Sequence, residues 1–165
     1  MSDPTIRPAR PDEAAVVGAL TEAAYAGDGY LDHPGGDAYG AVLRDAVARV
    51  EEATVLVAER DGAVIGTVTV APAGAPWANV ARPGELEVRM LAVHGEARRQ
   101  GVAEALMAAA EDHARTLGLG TVVLSTDFDM IPAQRLYERR GYVRRPERDW
   151  DVDGFPLIAY RLALP

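Results

Sequence analysis

The 165-residue chain contains neither cysteine nor lysine. The first absence excludes disulfide frameworks, thiolate metal sites, iron–sulfur clusters and a cysteine nucleophile. The second makes all 17 basic residues arginine, so every cationic contact is a planar fork rather than a compact ammonium. Positive charge is scarce as well: 25 acidic residues against those 17 leave a net charge of −8. Such a surface repels phosphate backbones and anionic lipid, and no nucleic-acid partner is expected. His33, His94 and His113 are scattered, so no metal site is expected from them. No apolar run approaches the roughly 20 residues that span a bilayer. The start, Met-Ser-Asp-Pro, lacks the basic and apolar segments of a signal peptide. A cytoplasmic protein without membrane contact is the expectation.

What is present is ordinary globular material, 48% hydrophobic and 25% charged. At a length close to one average domain, a single unit over residues 1–165 is expected. Thr5 to Pro8 reads as extended, and Asp12 as the N-cap of a helix from about Glu13 to Tyr25 with Val16, Val17, Leu20 and Ala24 on one stripe. From Ala26 to Gly40, glycines and aspartates interleave, a loop by composition; Tyr39 to Val50 returns to helical spacing. Thr54 to Glu59 and Val64 to Val70 are β-branched runs joined by Arg60-Asp61-Gly62, a hairpin turn. A proline-rich connection holding Trp77 follows. In the next strand, to Val93, Leu86, Val88 and Met90 alternate with Glu85, Glu87 and Arg89. Met90 to Val93 are then all apolar, a break that full burial or a bulge would explain. Helices at Gly101 to Leu117 and Pro132 to Arg140, a strand at Thr121 to Leu124, and two closing strands near Tyr142 to Arg144 and Leu157 to Leu164 complete a mixed α/β sheet with helices packed on it.

The chemistry concentrates in Val93-His94-Gly95-Glu96-Ala97-Arg98-Arg99-Gln100-Gly101-Val102-Ala103, between an apolar strand and a long helix. A glycine opening a helix lets ligand and backbone approach, and the first free N–H groups point outward with the positive dipole end. Such a start holds anions, and Arg98 and Arg99 add charge-assisted bonds. Read alone, Gly101 is equally a turn glycine beside solvated arginines. Arg98-Arg99-Gln100-Gly101-Val102-Ala103 resembles the (Gln/Arg)-x-x-Gly-x-(Gly/Ala) pyrophosphate loop of the GNAT superfamily of acetyl-CoA-dependent N-acetyltransferases. Glu87 to Val93 resembles that family's central strand. Ala133-Gln134-Arg135-Leu136-Tyr137-Glu138-Arg139-Arg140-Gly141-Tyr142 resembles its Ala-x-x-Leu-Tyr-x-x-x-Gly-(Phe/Tyr) segment. The first third of the chain matches only in its pattern of elements.

The resemblance implies a mixed, mostly antiparallel sheet of about seven strands with helices on both faces. It also implies acetyl transfer from acetyl-CoA to a primary amine by direct attack, without a metal. Backbone of Leu91, Ala92 and Val93 would hold the pantetheine arm, and Arg98, Arg99, Gln100, Gly101, Val102 and Ala103 the pyrophosphate. Met130 stands where many relatives carry an asparagine that touches the arm. Tyr137 would protonate the departing thiolate; the alternative is a core tyrosine beside Ala133 and Leu136. A lysine-like amine with pKa near 10.4 is neutral in only about one molecule in 2,500 at pH 7, so a base is needed. Glu87 is the candidate and Glu85, on the same strand face, the second; either is otherwise an ion-paired carboxylate, with Arg89 as a partner.

Between the first two helices Tyr25, Tyr30 and Tyr39 interleave with Asp28, Asp32, His33 and Asp37. The family's acceptor site lies there, and aromatic faces with carboxylates suit a cationic amine. Tyr25, Asp28 and Tyr30, with Trp77 as a second wall, are the acceptor candidates, against a solvated loop as the plain alternative. The acceptor would be a small molecule or a peptide amine. The resemblance leaves room for a homodimer through the apolar final strand. The competing class is a catalytically silent acyl-CoA sensor on the same fold; a general nucleotide binder is disfavoured because the sequence has neither GxGxxG nor a lysine-containing phosphate loop.

Overall fold

In the computed structural model, which describes residues 2–165, β2 (Thr54–Arg60) turns into β3 (Ala63–Pro72) through Asp61 and Gly62. Both have positive φ, 52° and 81°, the conformation whose twist matches the flanking strands. The same dipeptide recurs as Asp153-Gly154, with φ of 51° and 84°, and joins β7 (Trp150–Val152) to β8 (Phe155–Ala163). With β1 (Thr5–Pro8), β4 (Glu85–Val93), β5 (Thr121–Asp127) and β6 (Val143–Arg144), these strands form one sheet of eight in the order β1-β2-β3-β4-β5-β8-β6, with β7 also on β8. Among the described residues only β4 and β5 pair in parallel. The expected seven strands become eight because the Asp153-Gly154 hairpin adds a three-residue strand.

Alternation along β2 divides the core. Leu56 and Ala58 join Val68, Val70, Leu86 and Val88 under α4 (Val102–Thr116) and α5 (Ile131–Arg139). Val55 and Val57 pack on the opposite face against Ala14 and Val17 of α1 (Ala14–Gly27) and against Ala46. Helices therefore cover both faces. Gly66 permits the tight seat of α4 on β3: a Cβ there would lie 2.9 Å from Val102 Cγ1 and 3.0 Å from Leu106 Cδ1.

The helical region departs from expectation. The helix expected over Tyr39 to Val50 is two, α2 (Gly36–Arg44) and α3 (Val47–Glu52), because Asp45 leaves helical geometry at ψ 87° while Ala46 is buried. Asp12 does not cap α1; it lies inside a short 3-10 turn, Pro11–Glu13, whose preceding N–H, that of Arg10, is taken by the Glu13 carboxylate at 2.8 Å. Val16, expected on the apolar stripe of the first helix, is 49% exposed. Among the described residues no helix is long and apolar enough to cross a membrane.

Arg7 on β1 grips both oxygens of Glu13, at 2.7 and 3.0 Å, and ties the entry of α1 to the sheet edge. That grip holds the Glu13 carboxyl down at about 2, against an ordinary 4.5. A carboxyl lowered by folding adds stability above its unfolded pKa and loses it as pH falls, here between 4.5 and about 2. Glu13→Gln should flatten that acid limb in urea titrations run across pH. A limb identical to wild type would show that the pair carries no pH-linked stability.

Candidate active site

The parallel pairing of β4 and β5 covers only Glu85 to Val88 against Thr121 to Leu124. Beyond it β5 stays with β8, through Ser125, Thr126 and Asp127, while β4 stays with β3. The two central strands thus part, and among the described residues β4 from Arg89 to Val93 has no strand partner on its β5 side. A register shift between Thr67 and Thr69 of β3 sets two β4 residues, Met90 and Leu91, against Val68, with Met90 at φ 55°. This is a bulge. It moves the inward parity from Leu86 and Val88 to Leu91 and Val93, which is why the sequence shows four apolar residues in a row.

At the head of α4, Arg99 and Gly101 adopt φ of 61° and 78°, and the space where a Cβ of Gly101 would stand is open. No side chain caps the helix start, so its first N–H groups face outward. Gln100 is turned away, accepting from Arg60 Nη1 at 2.6 Å and donating to Glu96 O at 3.1 Å. Arg98 pairs with Asp28 at 2.7 Å, so the structure joins an expected cofactor residue to an expected acceptor residue. An uncapped helix start with exposed arginines, leading to an unpaired strand edge, fits an extended ligand with a polyphosphate end. Met130 sits before α5 with its sulfur 3.4 Å from the Thr126 hydroxyl.

Tyr137 lies on α5 with its ring against Tyr142 and Tyr160, centroids 5.9 and 6.1 Å away. Burial pushes its hydroxyl well above the ordinary tyrosine value. Among the described residues the hydroxyl has no hydrogen-bond partner, yet the enclosed partnerless side-chain atoms are only Arg49 Nε and Arg145 Nε. The Tyr137 oxygen is therefore not wholly enclosed, although the residue is buried.

Glu85, Glu87 and Arg89 all project to the other face of β4, and all three anchor the segment between β3 and β4. Glu87 Oε1 accepts the N–H groups of Asn79, Val80 and Ala81 at 2.8, 2.6 and 2.9 Å, whereas Oε2 takes no part in these bonds. Arg89 Nη1 donates to Trp77 O at 2.9 Å instead of pairing with a carboxylate. Glu85 is held in a bidentate pair by Arg148, at 2.7 and 2.8 Å, and accepts the Arg82 N–H. Burial alone would raise the Glu85 carboxyl, but Arg148, the Arg82 N–H and Arg161 outweigh it and hold it below its ordinary value.

On the acceptor side Tyr25 contacts Tyr30 and Tyr39 edge-on, with centroids at 6.4 and 6.2 Å. Asp28, Tyr30, Asp32, His33, Asp127 and Asp129 line a cavity of about 380 Å³, beside a His33–Phe155 stack at 4.2 Å. Among the described residues, no three His, Asp or Glu side chains are placed to share a metal ion. Tyr25 and Trp77 stand apart from that cavity, in the company of a residue that sequence reading passed over. Arg49 is fully buried, its guanidinium 5.9 Å from the Trp77 ring centre. Its one sequence signal is spacing: Leu43, Ala46 and Arg49 fall three apart on the buried stripe.

A strand pair that parts over a bulge, with an open helix start at one side and a tyrosine at the other, defines a class, and comparison with known proteins identifies it. Residues 19–142 match the model of the Acetyltransferase (GNAT) family. The chain belongs to this family. A mycothiol acetyltransferase of Thermomonospora curvata is 33% identical over 123 residues, 72% of this chain and 38% of that protein. One of Cellulomonas flavigena is 35% identical over 101 residues, 57% and 28% of the two chains. Human N-acetyltransferase 8B is 36% identical over 86 residues, 52% and 37%. The chain thus spans well under half the length of these curated relatives. Among solved structures, a GCN5-related N-acetyltransferase of Rhodopseudomonas palustris superposes with a TM-score of 0.76 at 21% identity, covering 99% of this chain and 98% of that one. PaiA N-acetyltransferase of Thermoplasma acidophilum, solved in complex with coenzyme A, gives 0.74 at 15% identity over 99% of each. At such identities these likenesses establish the fold.

Proposed function

We propose that this protein transfers the acetyl group of acetyl-CoA to a primary amine. The observation that carries the reading is the open edge of β4, which runs from the uncapped head of α4 to the face where Tyr137 stands. In this reading the backbone of Leu91, Ala92 and Val93 pairs with the pantetheine arm, and Met130 packs beside it. Arg98, Arg99 and the N–H groups of Gln100, Gly101, Val102 and Ala103 hold the pyrophosphate, Arg98 exchanging Asp28 for phosphate. Acetyl-CoA supplies an acyl group already activated as a thioester.

The amine attacks as the neutral base. A C–N bond forms, the C–S bond breaks, and the electron pair leaves on sulfur. The thiolate takes a proton from the Tyr137 hydroxyl, which burial keeps protonated, and the proton lost by nitrogen goes to Glu87 Oε2, directly or through water. Of the two candidate carboxylates Glu87 is retained: Glu85 has both oxygens committed to Arg148, whereas Glu87 is fixed through one oxygen only. The aspartates around the acidic cavity, with Tyr30, draw a positively charged amine towards the cleft. Relatives that carry N-acetyltransferase names support the reaction type.

The test is release of free thiol from acetyl-CoA with polyamines, amino acids, aminoglycosides and peptides. Thiol release with at least one amine is expected. Arg98→Ala should raise KM for acetyl-CoA about tenfold, the effect of one lost charged hydrogen bond, with little change in kcat. Protection by CoA in thermal unfolding, without release for any amine, would leave a binding module and overturn the transfer reading.

A further inference from the structure

Two arginines occupy the acceptor side without an anion. Arg49 is fully buried; its Nη1 and Nη2 donate to the carbonyls of Val42 and Leu43 at 3.3 and 3.1 Å, which secures the end of α2. Its Nε is enclosed and has no partner. Arg89, half-buried on the bulged strand, makes its one bond to the Trp77 carbonyl. Neither pairs with a carboxylate among the described residues, although this chain has 25 acidic side chains to 17 arginines and the half-buried Arg7, Arg140 and Arg148 are all matched. Burying a cation without an anion is costly, and doing so with a second guanidinium within repelling range adds to the cost.

Their position gives that cost a use. Burial lifts the Tyr25 hydroxyl, and the charges that act on it are Tyr39 and Tyr137 in one sense and Arg89 and Arg49 in the other. Tyr137 belongs to the α5 face of the sheet and Arg89 to the α1 face, and the charges of both act on Tyr25. Trp77, held at φ 74°, joins the two arginines: its carbonyl takes the Arg89 bond, the Arg49 guanidinium lies over its ring, and its own Nε1–H goes to Glu52 at 3.0 Å. A backbone strained at a non-glycine residue marks a site whose shape is imposed by its surroundings.

We infer that Arg89 and Arg49 form a carboxylate-binding site, so that the acceptor is an amine bearing a carboxylate, of the amino-acid class. The inference rests on the acetyl-transfer reading for its orientation: the carboxylate anchors against the two guanidiniums, and the amine is left facing the part of β4 where the thioester would lie. A carboxylate is the group that takes a guanidinium edge as a fork, here that of half-buried Arg89, while the enclosed Arg49 contributes its charge.

The test uses matched sets: alanine, phenylalanine and glutamate, each against its α-carboxamide and the amine lacking that group. In thiol release, the free acid should exceed both analogues in kcat/KM by about tenfold or more in at least one set, since a buried ionic partner is left unpaired by the analogue. Arg89→Gln should bring that ratio near one, and Arg89→Lys, which keeps the charge and loses the fork, should restore only part of it. Arg49 is too deeply packed for a clean variant, so binding gives the second readout. With CoA present, the N-acetylated acid should raise the thermal midpoint more than its amide, and Arg89→Gln should erase the difference. No acid preference in rates or in binding, or a preference untouched by Arg89→Gln, overturns the carboxylate site while transfer itself stands. Arg89-dependent binding of the acids without any thiol release sustains the site and overturns the transfer reading instead.

Discussion

Phenylalanine in place of Tyr137 is expected to lower kcat about a hundredfold and leave KM for acetyl-CoA within about twofold. The reasoning starts from packing. The ring is wedged between Tyr142 and Tyr160, and phenylalanine keeps those contacts. The hydroxyl has no partner among the described residues, so its removal orphans no buried group, and stability should change by less than about 1 kcal/mol. A large loss of rate without loss of stability then reports the proton. Because burial lifts the hydroxyl above its ordinary value, wild-type turnover should show no decline from Tyr137 ionisation below about pH 10. Wild-type turnover in the variant, measured by thiol release, would return Tyr137 to the core and remove it from the reaction.

The second large effect is on folding. A Cβ at Gly18 of α1 would stand 1.8 Å from the carbonyl oxygen of Arg44, at the end of α2. That oxygen belongs to backbone and cannot rotate aside, so Gly18→Ala must drive α1 and α2 apart. The expected cost is about 3 kcal/mol, near the upper end for overpacking, or roughly 6–12 °C in Tm for a chain of this size. Gly27→Ala, at the other end of α1, meets nothing within 4 Å and should be neutral or slightly stabilising. If both variants melt with wild type, the helices are looser than their backbones indicate. The α1–α2 contact also matters for the site: Tyr25 comes from one helix and Tyr39 from the other, and their edge-on packing depends on the crossing that Gly18 allows.

What the sequence made legible follows from which features have a local cause. The bulge at Met90 announced itself as a failed alternation, because parity is written directly in side-chain order. Asp61-Gly62 reads as a hairpin because β-branched runs flank it, whereas Asp153-Gly154 carries no such signal: Trp150, Asp151 and Val152 are too few to show a period, and two of the three are exposed. The split of the helix expected over Tyr39 to Val50 is illegible because the apolar spacing of Leu43, Ala46 and Val50 runs on past a break that only the backbone at Asp45 reveals. Arg49 was hidden for a related reason. A charged residue on an apolar stripe reads as a solvated edge until tertiary packing closes over it. The proline-rich connection after β3 carries no sequence sign of its fixed shape, since the groups that hold it are the side chains of Glu85, Glu87 and Arg89 on the next strand and of Arg148, remote in sequence.

That loop has a consequence in exchange behaviour. Asn79, Val80 and Ala81 belong to no helix or strand, and an irregular surface segment normally gives up its amide protons to deuterium within moments. Here all three protons are held by a single carboxylate oxygen on a buried central strand. Their release requires the loop to lift from Glu87 as one piece, so the three amides should exchange together and slowly, as a small cooperative unit with the protection of sheet and the appearance of coil.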